Sequence, residues 1–477
     1  MSTSAHQVPA VAIVGGGFSG AAVAWHLFRL RPDLERVVVI EPRAELGRGL
    51  AYSAADPSHR INVPAVRMTL MPDQPEHFNA WLEASGRLDG DPAARMPDGR
   101  NFPARAVFGE YVHRMLTSLG PRLHHVRAAA QDIEPVEGGY RIACSDGSEV
   151  LARIVVLAVA HVAPSPPSLV DRALAGHPRY VRDPWATDRL ETIRPEDRVL
   201  IVGTGLTMAD IVASLDRLGH KGEIVAISRR GLRSRGHPAE AHEPYGDFAT
   251  EPAQTVRELV RRVRETVRAA AREGKSWHCV LDQVRLQGSA VWRALPLAER
   301  ARLLRHLRPF WDVHRFRIAP QVEQGLDRRL AEGRLSLRAA SLKTVERKGE
   351  TIEVTLRSRR GARVDTERFD AVVVATGPAH GRVFAETPVL ASLEAAGLAR
   401  PDPLQLGIDV TGDGHAVGAD GVARPDLFVA GPLARGTVGE LMGLPDVTNY
   451  AIRVAGGVAA QLDARIARKP DLVQASG

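Results

Sequence analysis

Two short glycine-rich stretches carry the clearest chemistry in this sequence. Gly15-x-Gly17-x-x-Gly20 follows the apolar run Val11-Ala-Ile-Val14 and opens an apolar helical stretch from Ala21 to Leu30. At this spacing the first glycine permits a tight turn and the second lets backbone N–H groups approach a pyrophosphate. The third allows helix and strand to pack closely. Phe18 and Ser19 lie within the turn. Glu41 ends the next apolar run, Arg36-Val-Val-Val-Ile40. A carboxylate about 20 residues beyond such a turn can accept hydrogen bonds from ribose hydroxyls.

The second stretch is Gly203-Thr204-Gly205, preceded by Val199-Leu-Ile-Val202 and followed by a helical run from Leu206 to Leu218. Met208 stands where a third glycine would fall. The following run, Glu223-Ile-Val-Ala-Ile-Ser228, ends not in an acid but in Ser228-Arg229-Arg230. An arginine fork there can pair a 2′-phosphate that a carboxylate would repel, which favours NADPH and leaves NADH open. Two solvent-facing arginines are the plainer alternative.

Strand, glycine turn and helix occurring twice predict an α/β protein with two Rossmann-like dinucleotide-binding domains. Late apolar strands are expected at Ala152–Ala160 and Asp370–Gly377, and the proline cluster Ala163-Pro-Ser-Pro-Pro167 reads as a linker. The expected layout is a discontinuous FAD domain over residues 1–190 and 371–477, with an NAD(P)H domain inserted at 191–370. A helical insertion at about 251–317 follows from Val256, Leu259, Val260, Val263 and Val267 recurring at helical spacing. One chain with two such units needs two dinucleotides, and the N-terminal unit is assigned FAD. Arg48 and Gly49, then Asn62 and Val63, read as loops beside the flavin. Gly377 and the Gly431-Pro432 turn mark the C-terminal return to it.

Composition narrows the classes further. Sixty-three basic against 56 acidic residues give a formal +7, but the arginines are scattered and aromatics are only 5%, so no nucleic-acid partner is expected. Ile154–Ala160 is too short an apolar run to span a membrane, and Met1–Ala10 lacks the basic start of a signal peptide, so a cytoplasmic location is expected. Cys144 and Cys279 form no CxxC pair, which argues against a disulfide reductase. No metal site is expected: His124-His125 are adjacent, no HExxH occurs, and the lone His161, His237 and His278 read as surface or satisfied core groups.

The chain resembles the two-dinucleotide-binding flavoproteins, and more closely the bacterial FAD/NAD(P)-binding family that includes FAD-dependent urate hydroxylase. The likeness is carried by the two glycine turns, Gly47-Arg-Gly-Leu-Ala-Tyr52, Asn62-Val-Pro64, Phe102-Pro-Ala-Arg105, Phe108-Gly-Glu-Tyr111 and Asp183-Pro-Trp185. It continues through Ser228-Arg-Arg-Gly231, His314-Arg-Phe-Arg317, Ala375-Thr-Gly377 and Gly431-Pro432. Two positions depart from the family. Ala160 replaces a glycine before His161, and Gly439 precedes Glu440, itself an expected cofactor contact, where an aromatic often stands. If position 439 faces the flavin, a wider pocket is expected.

The resemblance implies monooxygenation, with NAD(P)H supplying electrons and one atom of O₂ going to a small polar, nitrogen-containing substrate. Urate is a candidate. Arg315 and Arg317 are the expected anion contacts, with Arg305, His306 and His314 nearby. No side chain is singled out as catalytic, because the cofactor carries the hard chemistry. An NAD(P)H oxidase or dehydrogenase and a non-catalytic flavin-binding regulator remain as alternatives. The oligomeric state is not read from the sequence.

Overall fold

The computed structural model describes residues 10–159, 162, 164–186, 188–240, 242–359, 363–377 and 380–467. Ala160 and His161 lie outside the described residues. Val11–Val14 is the middle of a six-stranded sheet, pairing in parallel with Val37–Ile40 on one side and Ile154–Leu157 on the other. All three strands are buried along their length, as expected where helices cover both faces of a parallel sheet. Leu123–Val126 closes one edge. The other edge comes from the far end of the chain: Ala423–Val429 pairs with Ile154–Leu157, and His415–Val417 flanks it antiparallel.

The C-terminal helix Asp446–Ala467 packs against the helix Phe18–Leu30. Ala21, Ala22 and Ala24 on the latter are buried, and their small side chains let the two backbones approach. The end of the chain therefore returns to the first glycine turn. A separate antiparallel sheet, Ala130–Val136, Gly139–Cys144 and Glu149–Ala152, was not foreseen.

The second sheet repeats the first. Val199–Val202 pairs in parallel with Ile224–Ser228 and with Ala371–Val374. Leu335–Lys348 starts parallel to Ile224–Ser228 and then runs into an antiparallel extension with Thr351–Ser358 and Val364–Phe369. The two-residue strand Tyr180–Val181 pairs with Val372 and Val373, so it belongs to this second sheet. Boundaries at 190/191 and 370/371 would assign both Tyr180–Val181 and Ala371–Val374 to the first domain; the hydrogen bonding puts them in the second sheet.

Between Ile224–Ser228 and Leu335–Lys348 the chain forms the helices Val256–Arg272, Trp277–Leu286, Gly288–Ala294, Leu297–His306, Arg308–Arg315 and Pro320–Ala331. Leu259, Val263 and Val267 pack with Phe248, Cys279 and Val280, so the first helix docks its apolar face on its own cluster. Among the described residues no helix is long and apolar enough to cross a membrane.

Candidate functional site

The two glycine turns are built alike. Gly15 N–H donates to Ile40 O at 2.9 Å and Gly203 N–H to Ile227 O at 2.8 Å. Both glycines have positive φ, +102° and +132°, and a Cβ on either would strike a carbonyl oxygen of the neighbouring strand end, Ala158 or Ala375. A Cβ on Gly20 would likewise strike Gly15 O, so this glycine serves helix–strand packing. Gly17 is different: its Cβ would meet nothing closer than Gly49 Cα at 3.4 Å. At Gly205 a Cβ would meet nothing within 4 Å. The protein does not need these two glycines for its own packing.

Neither helix that follows has a capping side chain or an acid in its first turn. The N–H groups at both turns are thus left for an anionic ligand. Glu41 is buried, at 4% exposure, and its Oε2 accepts the Gly16 N–H at 2.9 Å. Its Oε1 accepts the Arg43 N–H at 3.0 Å, which fixes the carboxylate at the edge of the first turn.

A cavity of about 740 Å³ runs from this turn to the inserted helices. Of the residues singled out in the sequence, Gly15, Gly17, Phe18, Ser19, Glu41, Arg48, Gly49, Asn62, Val63, Gly377 and Pro432 form its walls, and so do Arg315 and Arg317. Gly431, at φ +82°, packs directly on Ser19 behind the wall. Gly203, Thr204, Gly205, Ser228, Arg229 and Arg230 lie off the cavity, which reaches the second turn only at Leu206 and Thr207. Thr204 Oγ1 is committed to Ser228 Oγ at 2.8 Å and to Leu232 O. Arg230 lies over the Phe310 ring at 4.7 Å, while Arg229 is exposed.

The arginines expected to receive an anion are already matched. Arg317 donates to both oxygens of Asp282, at 3.2 and 2.8 Å. Arg315 Nε donates to Glu440 at 3.1 Å, and its Nη2 lies 3.4 Å from Asp446, which also pairs with Arg285 at 2.7 Å. Glu440 is an ion-pair partner behind the wall and does not line the cavity. Arg305 and His306 are exposed and, with His314, lie away from it. Gly439 does not open the pocket either: a Cβ there would stand 3.0 Å from Trp292 Cβ, and the Trp292 indole donates to Gly436 O at 2.9 Å. An aromatic from the insertion fills the space the sequence position leaves.

Other cavity groups were not assigned from the sequence: Arg105, Trp185, Asp210, His237, His278 and Asp282. Arg105 and Trp185 sat within motifs that carried the resemblance; the rest needed the fold to bring them together. His237 Nε2 donates to Asn62 O at 3.0 Å, and burial pushes the imidazole down to about 3. His278 donates to Gly236 O at 3.2 Å, and burial with the nearby Arg317 charge lowers it to about 4. Both rings are neutral at neutral pH. Cys144 and Cys279 are both buried and lie on different elements, the former in the three-stranded sheet and the latter on the cavity wall, so no dithiol faces the cavity.

Residues 12–162 match the family model described as FAD-NAD(P)-binding. A search of curated proteins finds no matching sequence. Among solved structures, the ornithine N-hydroxylase of Kutzneria sp. 744, solved with reduced FAD, NADP⁺ and L-ornithine, superposes with a TM-score of 0.64 at 18% identity, covering 96% of this chain and 100% of that one. The FAD-bound cadaverine monooxygenase of Erwinia amylovora gives 0.62 at 15% identity, over 96% and 95%. Thioredoxin reductase of Lactococcus lactis gives 0.53 at 11% identity, over 96% and 99%. Residues 12–162 thus form an FAD-NAD(P)-binding domain, and the chain as a whole has the fold of the two-dinucleotide-binding flavoproteins.

Proposed function

We propose that this chain is an FAD-dependent NAD(P)H monooxygenase that hydroxylates a small nitrogen-containing substrate, a primary amine before urate. The observation that carries the reading is the single cavity joining the first glycine turn to the inserted helices and touching the second unit at Thr207 and Asp210. A flavin laid along it would have the inserted helices at one end and the nicotinamide unit beside it. The residues fit FAD: Gly17 leaves a cradle that a side chain would fill, and Glu41 is fixed beside it.

Bound there, FAD would supply two-electron reduction by NAD(P)H and activation of O₂. The chain's own residues do the rest. N–H groups at Phe18 and Ser19 would hold the pyrophosphate, and Glu41 would accept hydrogen bonds from the ribose hydroxyls. The apolar stretch of Ile61, Val63, Met442 and Leu444 keeps water from the reacting centre. Asn62 is oriented by His237, whose neutral ring brings no charge to the site.

The substrate preference follows from charge. With Arg317 matched by Asp282 and Arg315 by Glu440 and Asp446, the insertion side offers no uncompensated cation for the urate monoanion. Structural neighbours that act on ornithine and cadaverine support an amine. Absence of a dithiol at the cavity separates this chain from the thioredoxin reductase that shares its fold.

The test is a paired assay of NAD(P)H loss, peroxide release and product mass under ¹⁸O₂, with ornithine, lysine, cadaverine and urate in turn. Label in an N-hydroxylated amine with suppressed peroxide supports the reading. Label in a urate product restores urate as the substrate. If no compound changes the rate and all electrons appear as peroxide, the chain is an oxidase.

A further inference from the structure

The helix Leu206–Arg217, which begins at the second glycine turn, has two distinct sides. Met208, Ile211, Val212 and Leu215 are buried in the core. Asp210, Ser214 and Arg217 recur at helical spacing on another face, and Asp210 and Ser214 are buried as well, at 4% and 1% exposure. Polar side chains are not buried without partners. Their partners all come from the first unit. Asp210 Oδ1 accepts from Arg105 Nη2 at 2.9 Å, Ser214 Oγ lies 2.9 Å from His59 Nε2, and Arg217 donates to Asp56 at 3.0 and 3.1 Å.

The receiving side is itself tied together. Arg105 N–H donates to His59 O at 2.8 Å, His59 N–H to Asp56 O at 3.1 Å, and Arg105 Nε to Arg60 O at 2.9 Å. Trp185, from the connection between Tyr180–Val181 and Val199–Val202 of the second sheet, closes the contact: its ring lies 5.3 Å from that of His59 and 5.9 Å from the Arg105 guanidinium. Arg105 and Asp210 also face the cavity.

We propose that Arg105 is a positioning residue: its ion pair with Asp210 fixes how the nicotinamide-binding unit sits over the flavin-binding cavity. The helix that presents Asp210 also presents the second dinucleotide turn, so any tilt at this contact displaces the hydride donor. Arg105 is anchored by its backbone and by Nε to one unit and reaches the other only through Nη2. His59–Ser214 and Asp56–Arg217 fix the same helix one and two turns further on, so the three contacts define an orientation and not merely a distance. The catalytic part of this inference rests on the proposed function; the orientation part does not.

The experiment separates the two. Spin labels on the FAD-loaded protein at Ser118→Cys and Lys221→Cys, exposed positions in the two units, report the interdomain distance, since Cys144 and Cys279 are buried. Anaerobic stopped-flow with NADPH gives binding and limiting flavin-reduction rate separately. Asp210→Asn is expected to broaden the distance distribution and lower the limiting rate by about a hundredfold, with NADPH affinity nearly unchanged. The swap Arg105→Asp with Asp210→Arg is expected to narrow the distribution again and recover rate. Should Asp210→Asn not fold, Arg217→Ala, at the half-exposed end of the contact, is expected to broaden the distribution by itself. An unchanged narrow distribution in the variants that fold overturns the proposal. A wild-type protein whose flavin NADPH does not reduce would overturn the proposed function, while the distances still decide the orientation.

Discussion

A Cβ on Gly17 would stand 3.4 Å from the Cα of Gly49, an ordinary van der Waals separation. The same atom on Gly15 or Gly20 would run into backbone carbonyl oxygen. Three glycines of one fingerprint therefore answer to different constraints: packing fixes two of them and leaves the third open to the proposed ligand. Gly17→Val should fold and purify yet be colourless, because the added methyls would enter the cavity where the pyrophosphate is proposed to lie. Gly15→Ala should instead lose solubility or melt early. Absorbance at the flavin band together with a thermal melt checks both, and full yellow occupancy in Gly17→Val would place the flavin elsewhere.

Glu41 is held by Gly16 N–H and Arg43 N–H before any ligand arrives. A ribose contact at this carboxylate would thus be preorganised, and little entropy would be spent in forming it. Glu41→Ala removes charge-assisted hydrogen bonds worth about 1.5–3 kcal/mol, or roughly ten- to a hundredfold in FAD affinity. Titration of the apoprotein by flavin fluorescence measures the loss. A change of less than about twofold would mean the carboxylate serves only the turn.

The sequence made the turns legible because their constraint is local: spacing, a preceding apolar run and a following helix suffice. It did not make the boundaries legible. Tyr180–Val181 is two residues long, and only hydrogen bonds to Val372 and Val373, far along the chain, assign it to the second sheet. The arginines show the same limit. Arg315 and Arg317 read as anion contacts, yet their partners Glu440 and Asp282 are distant in sequence and neutralise them. Gly439 read as an open space, and Trp292 closes it from another helix. Spacing reveals what a segment offers; only packing reveals what is already taken.

Burial lowers His237 from 6.5 to about 3. Between those values the unfolded chain binds a proton that the folded one refuses. Stability is therefore complete above pH 6.5 and falls as pH drops towards 3, by about 1.4 kcal/mol per pH unit for this group. His237→Gln keeps a donor for Asn62 O but cannot titrate. Its urea-unfolding free energy, measured from pH 7 to 5, should fall less steeply than that of the wild type. Parallel slopes would mean that the folded chain takes up this proton as readily as the unfolded one, so that burial does not lower the ring.

The nicotinamide preference should reside chiefly in Arg229. Both arginines end the strand Ile224–Ser228, where a ribose-binding acid is missing, but they are not equally available. Arg230 is spent on the Phe310 ring at 4.7 Å and on His306 O at 3.2 Å, whereas the Arg229 side chain is exposed. A 2′-phosphate arriving at the second turn would meet Arg229 without first breaking a contact. Arg229→Ala should raise KM for NADPH about tenfold or more, matching the loss of one charge-assisted hydrogen-bonded pair, and leave NADH nearly unchanged. Arg230→Ala should have the smaller effect on that ratio and should loosen the helix that carries Phe310. Steady-state kinetics with both nicotinamides decides the matter. Equal losses for NADPH and NADH in Arg229→Ala would show that the residue steers anions in general, and the preference for the phosphorylated cofactor would have to be sought elsewhere.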